Sequence, residues 1–175
     1  MVHGGAGTVG RYAIQMARLK GARVLTTVSS EEKARHAGAD GWVNYRDGNA
    51  AAQLRQLNGG ADFDLIVDVD FGQNQAVNLE LIAESGCIST FASVGDMEPV
   101  LQFYPFMFKN VTLKMLIAYL IPASARRQGE AEISDWLRQG KLSHAVVDSG
   151  NLTDVAAAHD LVASGNKLGT VVLNV

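Results

Sequence analysis

The run Gly5-Ala6-Gly7-Thr8-Val9-Gly10 constrains this chain more than any other segment, because a GxGxxG loop between a strand and a helix builds a phosphate cradle. The first glycine permits the tight turn out of the strand. The second lacks a Cβ, so a pyrophosphate can approach the backbone, and the third lets the helix pack close to the sheet. Backbone amides at the helix N-terminus then point at the phosphates, aided by the positive end of the helix dipole. Alone the motif recurs by chance, but here its context agrees. An amphipathic helix follows over residues 10–19, with Tyr12, Ala13, Met16, Ala17 and Leu19 on one stripe, and then a β-branched strand over 23–28.

The same alternation continues to the end. Short apolar runs at 23–28, 41–45, 63–69, 86–92, 111–118 and 170–175 read as buried parallel strands. Helices are expected at 10–19, 31–37, 50–57, 75–83, 123–139 and 152–164, with Gly38 and Gly59 closing two of them. Such βαβα order predicts an α/β fold: a Rossmann-type doubly wound parallel sheet in three αβα layers, forming one domain over 1–175. Only Met1, Val2 and His3 precede Gly4, where a first strand normally supplies several apolar residues. The chain therefore reads as a piece of a larger protein. From about His144 the rhythm changes to a short strand at 145–147, a helix and a final strand, a portion expected to pair with or lean on what lies upstream.

Composition excludes several other classes. Over 175 residues the net charge is only −3 with both signs interspersed, which argues against a nucleic-acid surface. No apolar run approaches the roughly 20 residues that span a bilayer. Cys87 is the single cysteine, which excludes an internal disulfide and suits a reducing compartment such as the cytoplasm. Between Gly86 and Ile88 it reads as a buried structural thiol, and with four scattered histidines it assembles no metal site.

The second strand selects the dinucleotide. Sites for NAD usually end that strand in Asp or Glu, which accepts hydrogen bonds from the adenine ribose. Here it ends Val28-Ser29-Ser30, with Lys33 one helical turn on and Arg35 and Arg46 nearby. A phosphate monoester needs hydroxyl donors and a cation, so NADPH is favoured over NADH. The competing reading takes Glu31 or Glu32 as the ribose ligand. Both, however, fit the first turn of a helix capped by Ser29 or Ser30, where acids complement the dipole.

Two later strand ends face the same crevice. One ends Asp68-Val69-Asp70, a pair that admits acid–base work; the simpler reading has Asp68 bonding the following turn and Asp70 solvated. The other ends Phe91-Ala92-Ser93. His3 reads as packed, and His36, His144 and His159 as surface or helix positions. The cluster Phe103, Tyr104, Phe106 and Phe108 reads as a loop tucked over the core, with a substrate or partner surface as the alternative.

Together these residues resemble the cofactor half of medium-chain dehydrogenases/reductases, in the zinc-independent quinone oxidoreductase branch that includes zeta-crystallin. The match runs over Val2-His3-Gly4-Gly5-Ala6-Gly7-Thr8-Val9-Gly10, Ser29-Ser30-Glu31-Glu32-Lys33, Gly38-Ala39-Asp40 and Asn44-Tyr45-Arg46. Asp68 in a V-D-x-x-x-G setting, Phe91-Ala92-Ser93 and Gly169-Thr170-Val171-Val172-Leu173 extend it. The resemblance implies that Ser29, Lys33 and Tyr45 surround an adenosine 2′-phosphate and that the strand ending at Phe91 flanks the nicotinamide. It implies an NADPH-dependent enzyme that passes hydride to a quinone or an α,β-unsaturated carbonyl, working as a homodimer paired along the strand at 111–118. An enoyl-thioester reductase of a polyketide or fatty-acid synthase and a non-catalytic nucleotide-binding module are the alternatives. Two positions depart from the family: Ala92 stands where glycine is common, and Thr170 where a cation usually follows the late glycine, with Lys167 nearby. Family members also carry an N-terminal GroES-like domain that forms the other wall of the cleft, so the chain as given is expected to turn over little substrate. No catalytic residue is assigned.

Overall fold

The computed structural model describes the backbone of residues 1–175 and every side chain except those of residues 148 and 149. The chain alternates helix and strand: α1 (Thr8–Leu19), β1 (Leu25–Val28), α2 (Glu31–Ala37), β2 (Gly41–Asn44), α3 (Ala50–Leu57), β3 (Phe63–Asp68), α4 (Phe71–Leu81), β4 (Ile82–Thr90), α5 (Phe103–Phe108), β5 (Thr112–Met115), α6 (Ala123–Arg138), β6 (Val146–Asn151), α7 (Val155–Ala163) and β7 (Thr170–Asn174). All strand pairs are parallel: β1 with β2, β3 with β4, β4 with β5, and β6 with β7.

The first three residues join the two halves of the main sheet. Val2 bridges Thr26 of β1 on one side and Val67 of β3 on the other. Its N–H donates to Leu25 O at 2.9 Å, and the His3 N–H donates to Val67 O at 2.9 Å. The spatial order is therefore β2, β1, the segment 1–3, β3, β4, β5, with the chain winding outward in both directions. Ligands of such sheets bind where that winding reverses, at the carboxyl ends of the strands. Here the glycine loop starts at that point.

Each face of the sheet carries its own core. Ile14, Val24, Val28, Ala34 and Ala37 pack beneath α1 and α2. Leu25, Leu54, Ile66, Phe71, Leu81, Ile82 and Ile88 pack beneath α3, α4 and α5. This confirms the three-layer α/β reading.

Several boundaries differ from the sequence pattern. The helix expected at 75–83 begins at Phe71 and stops at Leu81, and β4 starts immediately at Ile82. Leu81 and Ile82 are both fully buried, so hydrophobicity alone cannot mark where one element ends and the next begins. The aromatic cluster is the short helix α5, not a loop, and only Phe106 turns into the core while Phe103, Tyr104 and Phe108 stay exposed. Cys87 is half-buried in β4 rather than enclosed.

The last portion pairs with itself. β6 and β7 form a separate two-stranded parallel sheet, and the segments around it reach α1 and α2 through Lys167–Thr8 and Lys33–Gly165 hydrogen bonds. Arg11 donates to Ser143 O at 2.7 Å, Ser143 N–H donates to Gln15 Oε1 at 2.8 Å, and Tyr12 Oη lies 2.7 Å from His144 Nδ1.

Candidate dinucleotide-binding site

The glycine loop is anchored by two threonines of β1. Gly4 N–H donates to Thr27 Oγ1 at 3.1 Å and Gly5 N–H to Thr26 Oγ1 at 3.1 Å; Thr26 Oγ1 in turn donates to Val2 O at 2.7 Å. Both threonines are buried, their hydroxyls satisfied by the loop. The sequence pattern did not single them out, although two adjacent hydroxyl residues inside a fully buried four-residue strand are a legible signal that polar partners must reach them.

The glycines divide the work differently from expectation. The turn falls on Gly4, whose φ of +64° lies in the left-handed region, and not on Gly5. A Cβ on Gly5 would stand 2.2 Å from Thr26 Oγ1 and 2.7 Å from Ile14 Cδ1, so Gly5 is the point of closest approach to the sheet. A Cβ on Gly10 would stand 2.5 Å from Gly4 O and 2.9 Å from Gly5 Cα, so Gly10 lets α1 pack on its own loop. Gly7 is exposed and meets only Gly4 O at 3.3 Å.

That arrangement leaves donors free. Gly7 N–H bonds back to Gly4 O at 2.9 Å, but among the described residues the amides of Ala6, Thr8 and Val9 have no protein acceptor. They sit at and just before the first turn of α1, where unpaired N–H groups and the helix dipole favour an anion. Val9 offers only its amide, since its side chain faces solvent.

Beside these amides lies a cavity of about 220 Å³ lined by Gly4, Ala6, Gly7, Thr27, Val28, Ser29, Lys33, Tyr45, Gly165 and Lys167. Its side chains supply two ammonium groups and hydroxyls, and no carboxylate. Lys33 Nζ donates to Gly165 O at 3.3 Å, while Lys167 Nζ donates to Gly169 O at 2.7 Å and to Thr8 Oγ1 at 3.3 Å. Lys167 thus stands at the loop, while Thr170, at the start of β7, is exposed and lines no part of this cavity. Ser30 is occupied elsewhere: its hydroxyl caps α2 by accepting from Lys33 N at 3.2 Å. Glu31 and Glu32 are exposed on the first turn of α2, Glu31 pairing with Arg35 at 2.8 Å, and neither lines the cavity. Arg46 lies over the Tyr45 ring, 5.8 Å from its centroid.

A second cavity of about 500 Å³ shares Gly4, Thr27 and Tyr45 with the first and continues past His3, Val69, Asp70 and Asn74. Asp68 does not reach it. Its carboxylate is fully buried and accepts from Asp70 N at 2.9 Å, Asn74 Nδ2 at 2.8 Å and Asn78 Nδ2 at 2.6 Å, so direct contact with a ligand is closed to it. Asp70 is not simply solvated either, because both its oxygens accept the Gly95 N–H at 3.1 Å. Phe91, Ala92 and Ser93 follow β4 outside both cavities. Phe91 N–H donates to Asp68 O, Phe71 N–H to Ala92 O, and Ser93 Oγ accepts Gly72 N–H at 2.9 Å, binding this turn to the start of α4.

A parallel sheet wound both ways from a central glycine loop, with free amides and lysines at its carboxyl crest, defines a Rossmann-type nucleotide-binding domain. The chain belongs to the zinc-binding dehydrogenase family, which matches residues 8–139. It is similar to a 2-haloacrylate reductase of a Burkholderia species, 26% identical over 180 residues, covering 99% of this chain and 54% of the relative. Among solved structures it superposes on a quinone oxidoreductase of Pseudomonas syringae pv. tomato with a TM-score of 0.84 and 26% identity, covering 98% of this chain and 55% of that one. A mycobacterial protein solved in complex with NADPH gives 0.84 and 27%, covering 98% and 56%. The chain thus spans about half the length of these proteins. Among the described residues no group of three His, Cys, Asp or Glu is placed to hold a metal ion.

Proposed function

We propose that this chain binds NADPH in preference to NADH, and that the protein to which it belongs passes hydride to a quinone or an α,β-unsaturated carbonyl. The observation that carries the cofactor choice is the 220 Å³ cavity, which has Ser29, Lys33 and Lys167 in its wall and no acid. A ribose 2′-phosphate finds cations and a hydroxyl there, whereas an NAD site would present a carboxylate to the ribose. The mycobacterial structure with NADPH and the 2-haloacrylate reductase support the cofactor and the substrate class in turn.

In this reading the free amides of Ala6, Thr8 and Val9 take the pyrophosphate, and Ser29, Lys33 and Tyr45 take the adenosine end. Val69 and the turn Phe91-Ala92-Ser93 lie toward the nicotinamide half. Bound NADPH supplies the hydride; the residues of this chain bind and orient it and exclude water. No acid or base of this chain is assigned a proton transfer.

Two further features complete the proposal. β5 is an outermost strand of the main sheet, and Met115 at its end and Ile117, Tyr119 and Leu120 after it are exposed, so pairing of β5 with its copy in a homodimer would cover an apolar edge. A reducing, cytoplasmic setting fits the single half-buried thiol; no helix among the described residues is long and apolar enough to cross a membrane. Competition between 2′-phospho-AMP and AMP tests the cofactor choice: tighter binding of the 2′-phosphate form is expected, and equal binding contradicts it.

A further inference from the structure

A buried polar chain links the end of β3 to the glycine loop. Asp68 accepts the amide nitrogen of Asn78 at 2.6 Å, which turns Asn78 Oδ1 toward His3, 2.9 Å from Nε2. A carbonyl oxygen can only accept, so Nε2 carries the ring proton. His3 is buried, and the cost of desolvating an imidazolium holds its pKa below the ordinary value, against the opposing pull of Asp68. The ring is therefore neutral at pH 7, and Nδ1 is left as an acceptor 3.2 Å from Thr27 Oγ1. Thr27 gives its hydroxyl proton to Nδ1, and its oxygen lone pairs receive the Gly4 N–H at 3.1 Å. Every direction in the chain follows from the carboxylate at its far end.

We propose that His3 is a positioning residue for the phosphate loop: by accepting the Thr27 hydroxyl proton it fixes Thr27 Oγ1 as the acceptor that holds Gly4, and with it the amides of Ala6, Thr8 and Val9, in the anion-binding arrangement. Its importance for cofactor affinity rests on the dinucleotide reading above; its effect on the loop does not. A residue retained only to fill space would need neither nitrogen. Here both are used, one toward Asn78 and one toward Thr27.

The experiment separates the two ring nitrogens. Asparagine at position 3 offers a carbonyl where Nδ1 stands, and glutamine offers an amide nearer Nε2. His3→Asn is expected to keep the hydrogen-exchange protection of the Gly4 amide and the affinity for NADPH. His3→Gln and Thr27→Val are expected to lose about fivefold in each, the worth of one net hydrogen bond. If His3 acts by packing alone, both measurements follow thermal stability and Asn and Gln behave alike, which overturns the proposal. The wild-type ring decides the matter even where variants fold poorly: its ¹⁵N spectrum must show Nε2 protonated and Nδ1 bare, and the reverse tautomer contradicts the assignment. Should the wild-type chain bind no NADPH, the dinucleotide reading falls, while ring tautomer and Gly4 protection still decide the role of His3.

Discussion

Lys167 Nζ lies 3.3 Å from Thr8 Oγ1, so a residue from the connection before the last strand reaches the first turn of the first helix. The contact places an ammonium group beside the free amides of the loop and ties the β6–β7 unit to the proposed cofactor site. Lys167→Ala is expected to weaken NADPH binding by about tenfold, the scale of one charge-assisted hydrogen bond. The loss should shrink as salt is raised, because the group is half exposed. Isothermal titration at two ionic strengths checks both statements; an unchanged affinity would remove Lys167 from the site.

The glycines predict two different failures. Gly10→Ala drives a Cβ to 2.5 Å from Gly4 O, a backbone atom that cannot step aside, so the variant should lose about 1–3 kcal/mol of stability. Gly7→Ala meets only Gly4 O at 3.3 Å and should fold nearly normally, yet its methyl stands in the wall of the phosphate cavity and should weaken NADPH binding several-fold. Thermal melts paired with titrations distinguish the two. Equal loss of stability in both variants would contradict this division.

Acid should weaken the fold through His3. Burial lowers its pKa from 6.5, with Asp68 raising it and the α-amino group of Met1 lowering it further. Between the folded value and 6.5 the unfolded chain binds more protons than the native one. The stability contributed by neutral His3 is thus fully present above that window and is lost as pH falls through it. The melting temperature is expected to drop on going from about pH 7 to pH 5, more steeply in the wild type than in His3→Gln. Parallel curves would show that His3 does not titrate with unfolding.

Much of this was legible in the sequence, for physical reasons that differ by element. The α/β alternation and α2 were readable because buried parallel strands are apolar runs and because Ser30 and Gly38 punctuate the helix at both ends. The 220 Å³ cavity joins Ser29, Lys33 and Tyr45, the set expected around an adenosine phosphate. The junction of α4 and β4 was not readable, since Leu81 and Ile82 are buried in both elements. Neither was the burial of Asp68: a carboxylate at a strand end reads as facing the crevice, and only Asn74 and Asn78, one and two turns along α4, show that it faces inward. Thr26 and Thr27 act through backbone groups of a loop more than twenty residues away, a relation no local pattern encodes.

The edge strand gives a prediction about assembly. β5 has β4 on one side and no main-sheet strand on the other; Met115 at its end and Ile117, Tyr119 and Leu120 after it are exposed. A homodimer paired through β5 should be disrupted by a charged or proline substitution at the exposed Met115, without loss of NADPH binding. Sedimentation velocity at micromolar protein reads this directly, and a wild-type monomer there contradicts the dimer.

In the function proposed above, the crest of this sheet takes a dinucleotide carrying a 2′-phosphate. Calorimetric titration of the chain with NADPH and with NADH tests it most directly. NADPH is expected to bind at least about tenfold tighter, with Lys33→Ala removing most of the difference while leaving NADH nearly unchanged. Equal affinities for the two cofactors in the wild-type chain would contradict it.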